Sequence, residues 1–520
     1  MPVDEYAKKV NQIKSALSQY DQQTVLNCGL WYLDTQDKDQ ESIARSMPFI
    51  TFLLIKWSMQ IAENGLRKIT RGEFLKIANN LYQLQAPATN LDSSGSLELK
   101  LRPMLMQQGA PQVHIADDML SFARQRIWFD QPAVGYYEQA FQRISGISIK
   151  TFFAISSYFS LNASTTEVAQ IDLGILVVHL TPSETIEDIA AYLKFVGIRS
   201  AQLPDFMQRY VEADAPKYEY YAETPLILKP LLLLGNKVII ANRRLYLRSM
   251  AYYLSNSLKL EDGRKFKEHF GPTLESYVSS ILTDASAHFH TEAAIKVIYD
   301  QERKTGKIVD FIIEDRFRIF MDCKAIEPND YTSTCTDPDL LAARLKESYT
   351  KAIWQGQECC FNLEQLPQFQ KKPPFLLVVV HRDHYLSNGK RLDQYLGIDL
   401  EKDIKAKYGY IPIPLDHIYY VTIHDFERLI SAHQTQNGEL STILEDAIKK
   451  DAKPETAMFL FSMHMIGKQG VDDKKLHAIM LKEFENVHRN ILSNAQSWSE
   501  KIVPYLQARS KLIGLTERNS

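Results

Sequence analysis

Apolar residues recur at intervals of three and four along most of the first 255 residues, which is the spacing of amphipathic helices. The pattern predicts a mainly helical region, with helices near 5–20, 42–63, 72–86, 117–128 and 185–196. Two segments depart from this spacing and are predicted as strands: IDLGILVVHL (171–180) and KVIIANRRLYLRS (237–249), the second with Ala241-Asn242 in a hairpin turn.

The pattern changes after about residue 262, where strand-like apolar runs alternate with helical stretches. A helix is predicted over 272–287, because Pro272 suits the first position of a helix. A long helix is predicted over 338–364 and a polar helix near 391–406. Strands are predicted at 294–300, 307–314, 317–326, 375–381 and 417–423, and further helices at 439–450, 454–466, 473–492 and 495–510.

Strands that alternate with helices indicate a sheet domain covered by helices, so the predicted fold class is α+β or α/β. The chain divides into three predicted regions. These are a mainly helical region with a small β hairpin (1–257), a mixed-sheet domain flanked by helices (258–430) and a helical C-terminal region (431–520).

Composition is that of a folded protein, with 45% hydrophobic and 24% charged residues. The formal net charge is −3, so any contact with phosphates must come from a local basic patch. Arg243, Arg244 and Arg248 in the predicted hairpin and the pair Lys371-Lys372 are such groups. The sequence leaves two interpretations of these basic groups open: they lie on a solvated surface, or they contact phosphate.

The five cysteines have neither zinc-site nor disulfide-framework spacing, which predicts free thiols and a reducing compartment. The most apolar runs are far shorter than the roughly 20 residues of a membrane span. A cytoplasmic protein without a membrane partner is therefore expected. The sequence contains no phosphate-binding loop of the form GxxxxGK[ST], so ATP hydrolysis is not expected.

Two aspartates interrupt apolar strand segments. Asp310 lies between Ile308-Val309 and Phe311-Ile312, and Asp322 follows Ile319-Phe320-Met321. If residues 315–317 form a hairpin loop, Glu314 faces Arg318, Ile312 faces Phe320, and Asp310 faces Asp322, which brings two Cβ atoms to about 5 Å. Two such carboxylates repel unless a cation lies between them, and a hard ion such as Mg²⁺ meets that need.

Two further side chains belong to the same hypothesis. Lys324 is two residues beyond Asp322 and so points to the same face of the strand. Its ammonium can orient an attacking water or offset the charge of a phosphate transition state. Glu275, in the first turn of the predicted 272–287 helix, flanks the apolar stripe and supplies a third carboxylate.

The combination Glu275, Asp310 and Asp322-Cys323-Lys324 resembles the PD-(D/E)XK superfamily of restriction-endonuclease-like nucleases. The resemblance covers about 262–430 and departs from the family pattern at Val309, where the family name has proline. It implies Mg²⁺, with Mn²⁺ able to substitute, held by Glu275, Asp310, Asp322 and the backbone carbonyl of Cys323. The family often has a glutamine on the next helix. Gln355 and Gln357 are the candidates, and Gln357 is preferred.

The expected function is therefore that of a Mg²⁺-dependent endonuclease acting on nucleic acid, DNA in preference to RNA, in restriction or antiviral defence. By analogy with defence nucleases, the helical N-terminal region is expected to sense a trigger or to mediate assembly as a homo-oligomer or with a partner protein. The alternative is an inactive nuclease fold that binds nucleic acid or acts as a scaffold.

Overall fold

A computed structural model describes residues 5–36, 47–62, 65–89, 96–109, 115–130, 135–165, 170–213, 216–325, 330–369, 372–435, 439–466 and 474–517. Lys371 of the predicted basic pair and residues 42–46 of a predicted helix lie outside this set. The chain forms two compact units, one of residues 1–94, 107–263 and 475–520 and the other of residues 95–106 and 264–474. Helices and two sheets are present, which confirms the α+β class.

The first unit is mainly helical, as predicted. Its sheet has the order β1-β4-β3-β2, built from β1 (Gln170–Asp172), β2 (Gly197–Arg199), β3 (Leu231–Leu234) and β4 (Lys237–Ile240). The helices of this unit are Glu5–Leu17, Gln22–Gln36, Pro48–Gln60, Arg71–Tyr82, Gln85–Thr89, Ile115–Phe129, Gly135–Ser145, Ile149–Thr165, Leu173–Leu180, Ile186–Val196, Leu203–Gln208, Arg243–Glu261, Lys474–Ser497 and Ile502–Glu517.

The second unit contains the other sheet, in the order β5-β6-β7-β8-β9. The first three strands pair antiparallel and the last three pair parallel: β5 (Phe289–Thr291), β6 (Phe311–Glu314), β7 (Arg318–Lys324), β8 (Pro374–Val380) and β9 (Ile418–Thr422). The helices of this unit are Leu97–Met104, Gly263–Asp284, Glu292–Gln301, Asp330–Thr334, Pro338–Leu345, Lys351–Glu364, Gly389–Leu396, Leu400–Tyr408, Ile423–Thr435, Glu439–Asp451 and Phe461–His464.

One face of this sheet is covered by the Lys351–Glu364 helix. Phe320 of β7 and Leu376 and Val378 of β8 belong to the same core cluster as Ile353 of that helix. Gly356 allows the close approach, since a Cβ atom there would lie 2.8 Å from Leu376 Cδ2. Because strand side chains alternate, the even-numbered residues of β7 all point to this covered face.

Three predicted strands are wrong in whole or in part. Residues 173–180 form a helix that starts at the N-cap Asp172, and residues 243–249 begin another that starts at the N-cap Asn242. The predicted hairpin turn at Ala241-Asn242 is therefore a helix start, and the true hairpin turn lies between β3 and β4. Residues 294–300 also lie in a helix, whose N-cap is Thr291.

Helix boundaries differ from the prediction in the second half of the chain. The helix predicted to begin at Pro272 begins at Gly263 and contains Pro272 in its interior. The predicted 454–466 helix is reduced to Phe461–His464. The predicted C-terminal region 431–520 is divided, because residues up to 474 belong to the second unit and the rest to the first.

Residues 95–106 belong to the second unit although they precede its sheet by almost 200 residues. Leu99 joins the sheet core, and Arg102 is fully buried. The Arg102 guanidinium donates to the backbone carbonyls of His384 at 2.5 Å, Thr332 at 2.8 Å and Cys335 at 3.2 Å. Burial lowers the pKa of Arg102 to about 10.

The five cysteines are all free, as predicted. Within the described residues, no single helix combines the length and apolar character needed to cross a membrane. The pair Gly135–Ser145 and Ile149–Ser164, bent by 64°, reaches that threshold only when its two helices are taken together.

Candidate active site

The β6–β7 hairpin has the register predicted from the sequence. Ile312 pairs with Phe320 and Glu314 pairs with Arg318. Asp310 directly precedes β6, and its Oδ2 accepts a hydrogen bond from the backbone N–H of Cys323 at 2.5 Å. The two aspartates are therefore held together by the backbone of the hairpin.

Asp322 is fully buried on the covered face of β7. Lys324 Nζ lies 2.6 Å from Asp322 Oδ2, but neither carboxylate oxygen has a partner in hydrogen-bond geometry among the described residues. Burial raises the pKa of Asp322, and the Lys324 ammonium opposes that shift. The Lys324 ammonium compensates part of the cost of burying this carboxylate, and Oδ1 remains an unmet acceptor.

Asp310 is the more exposed of the two aspartates. Its pKa is raised to about 7, first by burial and then by the charge of Asp322, while the N–H of Cys323 acts in the opposite direction. Burial and mutual repulsion thus both favour the protonated form of Asp310, as expected of two close carboxylates.

Glu275 lies on the Gly263–Asp284 helix and is half-buried. Burial raises its pKa, and the charges of Glu292 and Asp322 raise it further. The charge of Asp322 on the hairpin thus acts on the helical carboxylate of Glu275, and the metal-binding role predicted for Glu275 stays a prediction.

The glutamine at the cluster is Gln355. Its Oε1 accepts a hydrogen bond from Lys324 Nζ at 3.0 Å. Gln357, which the sequence analysis preferred, is fully buried and hydrogen-bonds to both the N–H and the carbonyl of Ile413. The preference for Gln357 is thus corrected to Gln355, since residues two apart on a helix point about 200° apart.

Cys323 lies between Asp322 and Lys324 in the sequence. Its side chain points to the opposite face of β7, because side chains alternate along a strand. It is buried, and burial raises the pKa of its thiol well above the ordinary value. A neutral thiol on the opposite face does not serve the cluster. Its backbone N–H holds Asp310, while the role predicted for its carbonyl stays a prediction.

Sequence analysis missed Glu292. This exposed residue starts the Glu292–Gln301 helix, and its charge raises the pKa of both Glu275 and Asp322. The signal was present as Thr291, a helix-capping residue followed by an acidic first turn. This helix-start signal was overlooked because residues 294–300 were interpreted as a strand.

The donor set of the cluster fits a hard divalent cation, because Asp310, Asp322 and Glu275 offer oxygen ligands and the Asp322 oxygens lack hydrogen bonds. Among the described residues, no three acidic, histidine or cysteine side chains already converge as a ready-made ligand set. Lys324 Nζ occupies Asp322 Oδ2, whereas Oδ1 has no hydrogen-bond partner among the described residues. No protein-family model, curated protein or solved structure matches this chain.

Proposed function

We propose that this protein is a divalent-metal-dependent nuclease that hydrolyses phosphodiester bonds of nucleic acid. The observation that carries the proposal is Asp322, a fully buried carboxylate whose Oδ1 has no hydrogen-bond partner among the described residues and whose Oδ2 lies 2.6 Å from the Lys324 ammonium. It lies beside Asp310 and within the electrostatic reach of Glu275. Phosphate chemistry assisted by a metal uses carboxylate oxygens as metal ligands, and Asp310, Asp322 and Glu275 supply such oxygens.

Asp310, Asp322 and Glu275 are the residues that would hold the cation. When bound, Mg²⁺ or Mn²⁺ supplies positive charge at the scissile phosphate and makes the attacking water more acidic. Asp310 has the charge state for this role only after it loses its proton, because its pKa is about 7. Ion binding and deprotonation of the aspartates therefore favour each other.

Lys324 is the group that would act on the phosphate. In the structure its ammonium is held between Asp322 Oδ2 and Gln355 Oε1. Gln355 would orient the ammonium, which would donate to a phosphate oxygen as negative charge develops there.

The substrate and setting follow from the superfamily resemblance. It favours DNA over RNA, and restriction or antiviral defence as the biological role. Assembly as a homo-oligomer or with a partner protein belongs to the same analogy.

A second candidate function is a nucleic-acid-binding or scaffold protein with an inactive nuclease fold. The direct Lys324–Asp322 ion pair favours it, because the ammonium already neutralises the buried carboxylate at 2.6 Å. In that case the pair is a buried structural salt bridge, and removal of Lys324 would cost stability with no effect that depends on metal.

The test is cleavage of plasmid DNA and of a structured RNA by the purified full chain, with Mg²⁺, with Mn²⁺ and with EDTA. Cleavage that requires the metal and is lost in Asp310→Ala and Asp322→Ala supports the proposal. Asp403→Ala is the matched control, because Asp403-Ile404-Lys405 has the same Asp-x-Lys pattern on an exposed helix surface. Full activity in both active-site variants would contradict the assignment, and nucleic-acid binding without cleavage would favour the second candidate.

A further inference from the structure

The helix that packs on β7 and β8 starts at the edge of the sheet where these two parallel strands end. Two contacts place its start there. The hydroxyl of Tyr349, two residues before the helix, lies 2.7 Å from Nδ1 of His384, which follows β8. Farther along the helix, Gln355 accepts a hydrogen bond at 3.0 Å from Lys324, the last residue of β7. Lys351 lies between these two anchors and thus at the edge that carries the carboxylate cluster.

Lys351 shares one side of this helix with Gln355, because residues four apart are neighbours on a helix surface. Four residues advance about 6 Å along the axis, so Lys351 lies one turn closer to the start of the helix. The charge of Lys351 reaches the cluster. Burial raises the pKa of Asp322, and the charges of Lys324 and Lys351 oppose that rise.

The Lys351 side chain is exposed and available to a ligand. Among the described residues, no carboxylate forms an ion pair with its ammonium. Lys324 differs in this respect, because its ammonium is held at 2.6 Å from Asp322 Oδ2 and at 3.0 Å from Gln355 Oε1. The edge thus carries one engaged lysine and one that is open to solvent.

The cluster that a phosphate would approach is acidic. Its carboxylates influence one another electrostatically and belong to Glu275, Glu292, Asp310 and Asp322. A nucleic-acid backbone carries a negative charge at every phosphate, so an acidic surface repels it unless cations offset the repulsion. Lys324 and a bound metal ion would act at the reacting phosphate. An exposed ammonium beside the cluster lowers the cost of bringing the adjoining phosphates close.

We infer that Lys351 binds a phosphate of the nucleic-acid backbone next to the one that is cleaved. The inference rests on the proposed function, because it assigns a substrate contact to the same site. It separates the roles of the two lysines. Lys351 contributes to the affinity for the substrate, whereas Lys324 contributes to the rate of the chemical step.

Fluorescence anisotropy of a labelled DNA duplex with the full chain tests the inference, with Ca²⁺ in place of Mg²⁺ to suppress cleavage. Lys351→Gln should weaken binding about threefold to tenfold and lower the slope of log affinity against log salt concentration by about 1. Lys351→Arg should retain most of the affinity, because it keeps the charge. The matched control is Lys402→Gln, which removes an exposed lysine from the Leu400–Tyr408 helix. Thermal unfolding should be the same for all three variants.

Single-turnover cleavage with Mg²⁺ at saturating DNA separates binding from chemistry. The rate of Lys351→Gln should stay within about threefold of the wild type, because its defect is overcome by excess substrate. Equal affinity and salt slope in the Lys351→Gln and Lys402→Gln variants would overturn the inference, as would a lost rate at saturating DNA with unchanged affinity. Wild-type protein that binds DNA without cleaving it would contradict the nuclease function, and the affinities of the variants would still decide the phosphate contact. Wild-type protein that binds neither DNA nor RNA would overturn both.

Discussion

Lys324 Nζ lies 2.6 Å from Asp322 Oδ2, two residues earlier on the same face of β7. The carboxylate is fully buried, so this ammonium is its nearest counter-charge in the described structure. The pair therefore couples two roles of Lys324. It is the counter-charge of the buried Asp322 carboxylate, and under the proposed function it also acts on the phosphate.

Lys324→Ala should slow cleavage about 100-fold or more, the scale seen when one transition-state donor is removed. Metal affinity should stay the same or increase, because the competing ammonium is gone. Calorimetry with Mn²⁺ and single-turnover cleavage measure the two effects separately. Lys405→Ala on the exposed helix is the control, and lost metal affinity with unchanged turnover would show that the assigned role is wrong.

The stability of the protein in EDTA should fall as pH rises toward neutrality. The pKa of Asp310 is about 7 in the folded protein, above its ordinary value of about 3.9 in an unfolded chain. Between these values the folded state holds a proton that the unfolded state has lost, so the free energy of unfolding decreases with rising pH. Urea denaturation from pH 4 to pH 8 measures this slope.

Asp310→Asn should lose most of that slope and be more stable than the wild type at pH 8 by about 1–3 kcal/mol, because the charge that is costly to bury is absent. The same substitution should abolish cleavage. Metal affinity of the wild type should rise with pH through about 7, since ligands must be deprotonated. Affinity that is flat from pH 5 to pH 8 would separate Asp310 from the metal.

The two glutamines should behave in opposite ways. Gln355→Ala should reduce cleavage about tenfold to 100-fold with little change in stability, because it removes an acceptor of the Lys324 ammonium and otherwise only a long contact of 3.5 Å to the carbonyl of Ile308. Gln357→Ala should lower the free energy of unfolding by about 1–3 kcal/mol, because it leaves the N–H and carbonyl of Ile413 without partners. Denaturation curves and cleavage rates of both variants provide the check, and a reversed pattern would restore Gln357 as the site residue.

Arg102 should be essential to the second unit. Arg102→Ala is expected to destabilise this unit by about 3–5 kcal/mol, because several buried backbone carbonyls lose their donor.

A fragment that begins at Leu258 retains β5–β9 but lacks Arg102, so it should be soluble only in part and should unfold without cooperativity. Addition of a peptide of residues 95–106 should restore cooperative unfolding. A fragment that is fully folded without it would contradict this role.

The hairpin of the site could be predicted because its information is local. Alternating apolar residues and a short loop determine which residues of β6 and β7 face each other, and Asp310 and Asp322 follow from that register. Lys324 followed from strand periodicity, and Glu275 from the superfamily resemblance. These four positions needed no knowledge of distant contacts.

What could not be predicted depends on tertiary packing. The apolar run at 173–180 looks like a strand, because a short buried helix is also apolar on most sides. The run at 294–300 looks like a strand because it contains Val297 and Ile298 beside the buried Ile295, although it forms an amphipathic helix. The choice between Gln355 and Gln357 depends on the rotation of a helix whose packing is determined by Gly356 against Leu376. Arg102 could not be assigned to the second unit, since its partners lie more than 200 residues away.

The division of the chain also has a consequence for biosynthesis. Residues 475–520 belong to the first unit, so that unit lacks its helices Lys474–Ser497 and Ile502–Glu517 until the whole second unit has left the ribosome. The second unit, in contrast, has Arg102 available from the start and can close as soon as residue 474 emerges. Domains fold as units during synthesis. The residues of the carboxylate cluster thus all leave the ribosome before the last two helices of the first unit do.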